Sequence, residues 1–91
     1  MLSNLEQEIE RVVRHTAILK FVIEQGPIGI IKLAELSSYP QHKVRYSLRI
    51  LEQQDLIKPS SQGAVATLKA KEFMRMLPGK VKQLSEKLEK L

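Results

Sequence analysis

The sequence predicts an α+β domain, mostly α with one small β-hairpin. Three observations predict it. Apolar residues recur at helical intervals of three and four along most of the 91-residue chain. One stretch, 56–67, departs from that rhythm, with two short extended runs around Ser60-Ser61-Gln62-Gly63. Gly26-Pro27, Tyr39-Pro40 and Pro78-Gly79 divide the rest into helix-sized pieces.

The first piece reads as one long helix over residues 5–25. Asn4 is placed to cap it, and Glu6, Glu8 and Glu10 sit near the positive end of its dipole. Leu2, Leu5, Ile9 and Val12 give its first half an apolar stripe. Residues 17–23 are apolar almost all round, which requires burial at the centre of the domain. Gly26 suits the C-terminal cap, and Pro27 cannot continue the helix.

Residues 28–31 read as a very short strand, and residues 32–36 as a short helix with a small residue, Ala34, at its contact. Ser37-Ser38 forms a turn, with the Tyr39 ring pointing inward. Pro40 suits the first turn of the next helix, where its missing N–H has no helical partner. That helix runs to about Gln54 and turns Val44, Leu48 and Leu51 inward. Asp55 follows at a sharp turn, and Asp tolerates a left-handed backbone. After the hairpin, Thr67 caps a helix over 69–76, which Pro78-Gly79 breaks or kinks. The tail resumes helical spacing, with Val81, Leu84, Leu88 and Leu91 at intervals of three, four and three.

Charge narrows the function. The net charge is +5, and it is unevenly placed. Residues 1–40 carry four basic and five acidic side chains, whereas residues 41–91 carry eleven and five. Such asymmetry suits a face that meets a polyanion, although a lysine-rich solvated surface has the same composition. There is no cysteine, which excludes disulfides and thiolate metal sites. Apolar runs fall far short of the roughly 20 residues of a bilayer span, so an intracellular, cytoplasmic protein is expected, with no membrane partner. The four glycines make neither a phosphate loop nor a dinucleotide turn. The two histidines stand 27 residues apart, and no hydrolase or zinc-protease motif occurs. An enzyme, a metal site or a cofactor is therefore not expected.

The segment Leu33-Ala34-Glu35-Leu36-Ser37-Ser38-Tyr39-Pro40, followed by Val44, Leu48 and Leu51, carries a resemblance. It is similar to the helix-turn-helix of small winged-helix transcriptional regulators of archaea and bacteria. Leu56-Ile57 resembles their first wing strand. Ala66-Thr67-Leu68-Lys69-Ala70-Lys71-Glu72-Phe73 resembles their segment leading from wing to last helix. The match spans residues 12–76, and Ser38, Asp55 and Ala70 stand where the family pattern has glycine. The resemblance implies a single winged helix-turn-helix domain over 1–91 with extended N- and C-terminal helices. It also implies a homodimeric, sequence-specific regulator that binds double-stranded DNA, with a terminal helical arm at 79–91 for dimerisation. No sensor domain is present, and the sequence specifies no small-molecule effector.

On that reading His42, Tyr46, Arg49 and Gln53 point away from the core, with Lys43 and Arg45 on the flanks. Gln41, His42, Arg45, Tyr46 and Arg49 are candidates for base edges, Arg45 or Arg49 as a fork on guanine and Gln41 on adenine. Lys43 suits a phosphate. Lys58, Ser60, Ser61 and Gln62 on the hairpin suit the backbone or the minor groove. Tyr46 stacks on sugar or phosphate, or packs against the wing; His15 is partly buried or faces a dimer partner. Leu2, Leu5, Ile9, Val81, Leu84, Leu88 and Leu91 are candidates for dimerisation. Their alternative is packing of the C-terminal stripe on the N-terminal one within one chain. Two rival functions stand beside the regulator: a winged-helix protein–protein interaction module, and an architectural protein that coats DNA without sequence preference. The first is disfavoured, because residues 41–50 carry three positive charges and no negative one. RNA binding lacks an interleaved aromatic platform.

Overall fold

The computed structural model describes all 91 residues. Four helices and one hairpin follow in the order α1 (Leu2–Gln25), α2 (Ile30–Ser37), α3 (Gln41–Gln53), β1 (Ile57–Ser60), β2 (Gly63–Ala66) and α4 (Leu68–Glu89). The hairpin is antiparallel, with Ile57 opposite Ala66 and Ser60 opposite Gly63. The chain is thus mostly helical with a small two-stranded sheet. No helix is long and apolar enough to cross a membrane.

One core joins every element. Ile18, Leu19 and Val22 of α1 meet Leu33 of α2, Val44 and Leu51 of α3, Leu56, Ile57 and Ala70, and Ile28 closes its edge. The run 17–23 lies at the centre, as its all-round apolar character requires, with Lys20 left exposed. Tyr39 packs on the core with its ring half-buried.

Three tight turns aim the elements. Ser38 ends α2 with φ 64°, its N–H donating to the Ala34 carbonyl at 2.9 Å. Asp55 takes φ 60° after α3. Its N–H donates to Glu52 O at 3.0 Å while Leu56 N–H reaches back to Leu51 O at 3.0 Å, the paired bonds of a Schellman stop. Both positions are those where the resemblance expects glycine, and both keep the left-handed backbone without it. Thr67 then starts α4: its hydroxyl donates to Asp55 O at 2.8 Å and accepts from Ala70 N at 3.3 Å.

Three local expectations are corrected, and that for Gly26 is met in a different conformation. α1 begins at Leu2 with Met1 at its cap and no side-chain capping bond, so Asn4 lies inside the helix. Leu5 N–H already bonds Met1 O at 3.1 Å, which carries the helix past the asparagine. Gly26 does stand at the C-terminal cap, its N–H donating to Val22 O at 2.8 Å, but it is extended there (φ −66°, ψ 153°) and its need is close approach: a Cβ would lie 2.6 Å from Val22 O and 3.0 Å from Ala64 O. Residues 28–31 do not form a strand of their own. Ile28 alone pairs with Ala64, through bonds of 3.1 and 2.8 Å, and α2 starts at Ile30. Pro78-Gly79 does not end the last helix, which runs unbroken to Glu89. Proline removes one helical bond, and its ring here stands exposed, so the turns on either side carry the helix across.

Two substitutions test the turns. Ser38→Gly relieves a left-handed backbone costing about 1–2 kcal/mol against about 0.5–1 kcal/mol of added chain entropy. A net gain of about 0.5–1 kcal/mol in urea unfolding is expected from that difference. Gly63 has φ 126°, and a Cβ there would meet the Ile28 backbone at 2.5–2.8 Å. Gly63→Ala should therefore lose at least about 1–3 kcal/mol; a urea midpoint equal to the parent's would refute the close approach.

Candidate nucleic-acid interface

The site is built on α3. Val44, Ser47 and Leu51 form its buried edge, with Leu48 and Ile50 half-buried beside them. Val44 and Leu51 are buried as expected and Leu48 packs partly buried against the core, while Ser47 joins the inward face fully buried and shifts its centre to that side. Polar partners explain it. Arg14 of α1, itself only 8% exposed, donates from Nε to Ser47 Oγ at 3.0 Å. His15 Nδ1 lies 2.8 Å from the same oxygen. The guanidinium can only donate, so the hydroxyl accepts from Arg14; toward His15 it either gives its proton to Nδ1 or accepts from an Nδ1–H, as the ring's tautomer dictates.

That seam also takes in Tyr46. Its ring lies 5.8 Å from the His15 ring and 5.9 Å from the Arg14 guanidinium carbon. Tyr46 packs against α1, keeping 40% of its surface exposed. Gln41, His42, Lys43, Arg45 and Arg49 are all exposed on the remaining faces of α3. His42, Lys43 and Tyr46 border a notch toward α1. Gln41 and Arg45 border another toward α2, beside Lys32 and Glu35. The helix therefore presents a ridge of cations and amides flanked by two shallow notches.

On the hairpin, Lys58, Ser61 and Gln62 are exposed. Ser60 is exposed too, but its hydroxyl is engaged within the turn. It donates to Gly63 O at 2.6 Å and accepts from Gln62 N at 3.2 Å, so its first role is to shape the tip. The helical ends are open. Leu2, Leu5, Ile9, Val81, Leu84, Leu88 and Leu91 are each 46–100% exposed, so the two stripes do not cover one another within the chain.

Arg14 and Ser47 are the residues that sequence reasoning missed. The signal existed: Arg14 precedes Ile18 and Val22 at four-residue steps on one face, and Ser47 stands three residues after Val44 and four before Leu51. Two polar groups at core spacing on two helices are placed to find each other. No cluster of three or more His, Cys, Asp or Glu side chains is placed to hold a metal ion. No family model matches the chain, and no curated protein matches it.

His15 gives the seam a pH dependence. Burial first, then the charges of Arg14 and Arg11, lower its pKa from the ordinary 6.5. The folded chain therefore takes up this proton less readily than the unfolded one. Its contribution is fully present above pH 6.5 and is lost as pH falls toward the lowered value. The urea midpoint should drop between about pH 7.5 and about pH 5.5, and His15→Asn should flatten that slope. An equal drop in the variant would place the titration elsewhere.

Proposed function

We propose that this chain is a winged helix-turn-helix regulator that binds double-stranded DNA sequence-specifically as a homodimer. In this reading α2 and α3 are the helix-turn-helix, α3 enters the major groove, and the β1–β2 hairpin is the wing. The observation that carries it is the exposed surface of α3. Gln41, His42, Lys43, Arg45 and Arg49 face solvent there, and no carboxylate occurs from Gln41 to Ile50. A helix that exposes forks and amides near its start has the donors that base edges and phosphates accept.

Lys58 and the Ser61-Gln62 tip supply the wing's contacts to backbone or minor groove. The open stripes of α1 and α4 support pairing of two copies, since an apolar helix face of this length needs cover. A pair of reading helices then addresses half-sites about 34 Å apart on one side of the duplex. The protein acts in contact with the nucleoid, without metal or cofactor.

Selection from a genomic fragment library at several salt concentrations tests the proposal. A recovered palindrome, bound with a log–log salt slope of roughly −4 or steeper, supports it. Uniform recovery of all fragments would replace the regulator with an architectural protein. No binding at low salt would refute DNA recognition altogether. Given a palindrome, Arg49→Ala should cost about 1–3 kcal/mol on it and relax preference at one position. Leu84→Asp with Leu88→Asp should give a monomer by sedimentation and weaken palindrome binding far more than half-site binding. A dimer that survives this pair would move the interface away from α4.

A further inference from the structure

The start of α3 and the buried arginine of α1 face the same notch, and together they are built for an oxyanion. α3 begins behind Pro40 with no side-chain cap and no acidic residue in its first turn. The first-turn N–H groups of Gln41 and His42 have no partner, and the positive end of the helix dipole is left open. By itself a helix start binds nothing in particular. Arg14 supplies the second element.

Arg14 is more than nine-tenths buried, yet no carboxylate pairs with it. Its Nε is tied to Ser47 and its plane lies near the Tyr46 ring, which fixes the fork. No fully buried side-chain nitrogen lacks a partner, so its two terminal nitrogens keep some solvent access, and Arg14 lines the notch. Arg11, His42 and Lys43 border the same notch, with Glu10 as its one carboxylate. Arg11 also donates to Glu8 at 2.8 Å through one terminal nitrogen. A guanidinium desolvated without a counter-ion is costly, and a phosphate meets its fork with two parallel bonds.

We infer that Arg14, flanked by Arg11 and Lys43, clamps a backbone phosphate of the bound duplex at the start of α3. The inference rests on the DNA reading above and adds α1 to the interface. Ser47 and Tyr46 are positioning residues: they hold the fork and do not touch the phosphate. Glu10 opposes the clamp, because its charge lies in the same notch.

The test is fluorescence anisotropy of the full chain on a labelled duplex of mixed sequence, across salt. Arg14→Gln should weaken binding about tenfold at low salt and reduce the log–log slope by about one. Glu10→Gln, an exposed change that threatens no packing, should tighten binding about threefold. Opposite shifts in the two variants support the clamp. A folded Arg14→Gln with the parental slope overturns it, as does Glu10→Gln with the parental affinity. If Arg14→Gln fails to fold, Glu10→Gln decides alone. Should the unaltered chain bind no duplex at low salt, the DNA reading itself falls and the clamp falls with it.

Discussion

The orientation of α3 depends on one buried hydroxyl. Ser47 is wholly enclosed between α1 and α3, and it takes a bond from Arg14 while facing His15. The aliphatic part of the same seam, Ile18, Leu19, Val22 and Val44, supplies most of the burial. Aliphatic contacts alone would tolerate a small rotation of one helix on the other. A hydroxyl with two partners does not, because rotation would leave a buried guanidinium or imidazole without its bond. The bond from the charged guanidinium alone contributes about 1.5–3 kcal/mol, enough to select one rotation. That rotation decides which side chains α3 shows to solvent. It sends Arg45 and Arg49 outward and lays Tyr46 along α1.

This division of labour explains what could be read from the chain and what could not. The apolar run 17–23, the Thr67 cap, the turn at Asp55 and the hairpin each follow from a local pattern with a single structural outcome. Asn4, Gly26 and Pro78 were harder, because each residue type has two outcomes. Asparagine caps a helix or sits inside it. Glycine serves a left-handed backbone or a close approach, and the second became visible only with the Ala64 carbonyl in place. Proline stops a helix or interrupts one bond of it. The rotation of α3 was not legible from its own residues, since Leu48 outranks Ser47 on any apolar scale. What reversed that order lies 32 and 33 residues away on α1. For the candidate interface, the exposed cations of α3 were readable from helical spacing, but the α1 side of the notch was not.

The exposed faces differ in how far the fold has prepared them. At the hairpin tip the Ser60 hydroxyl closes the turn on itself, so Ser61 and Gln62 are displayed on a fixed frame. Along α3 the long side chains of Lys43, Arg45 and Arg49 are free of ion pairs and keep their rotamer freedom. Arg14 differs from these three, held in place by Ser47 and Tyr46 of α3.

The uninterrupted course of α4 through Pro78 has a consequence for how the molecule comes apart. Before the proline, the helix is pinned by buried Ala70, half-buried Met74 and the Thr67 cap. Beyond it, every residue to Leu91 is exposed. The missing N–H of Pro78 removes a rung of the hydrogen-bond ladder where the anchored and unanchored lengths meet. A helix of about a dozen residues has little stability by itself in water. The distal length is therefore a separate unit of local opening, and its backbone amides exchange with solvent without waiting for the core to unfold. Heat or denaturant acting on a lone chain would melt α4 from its free end to the proline first, and the cooperative transition would report on the remainder.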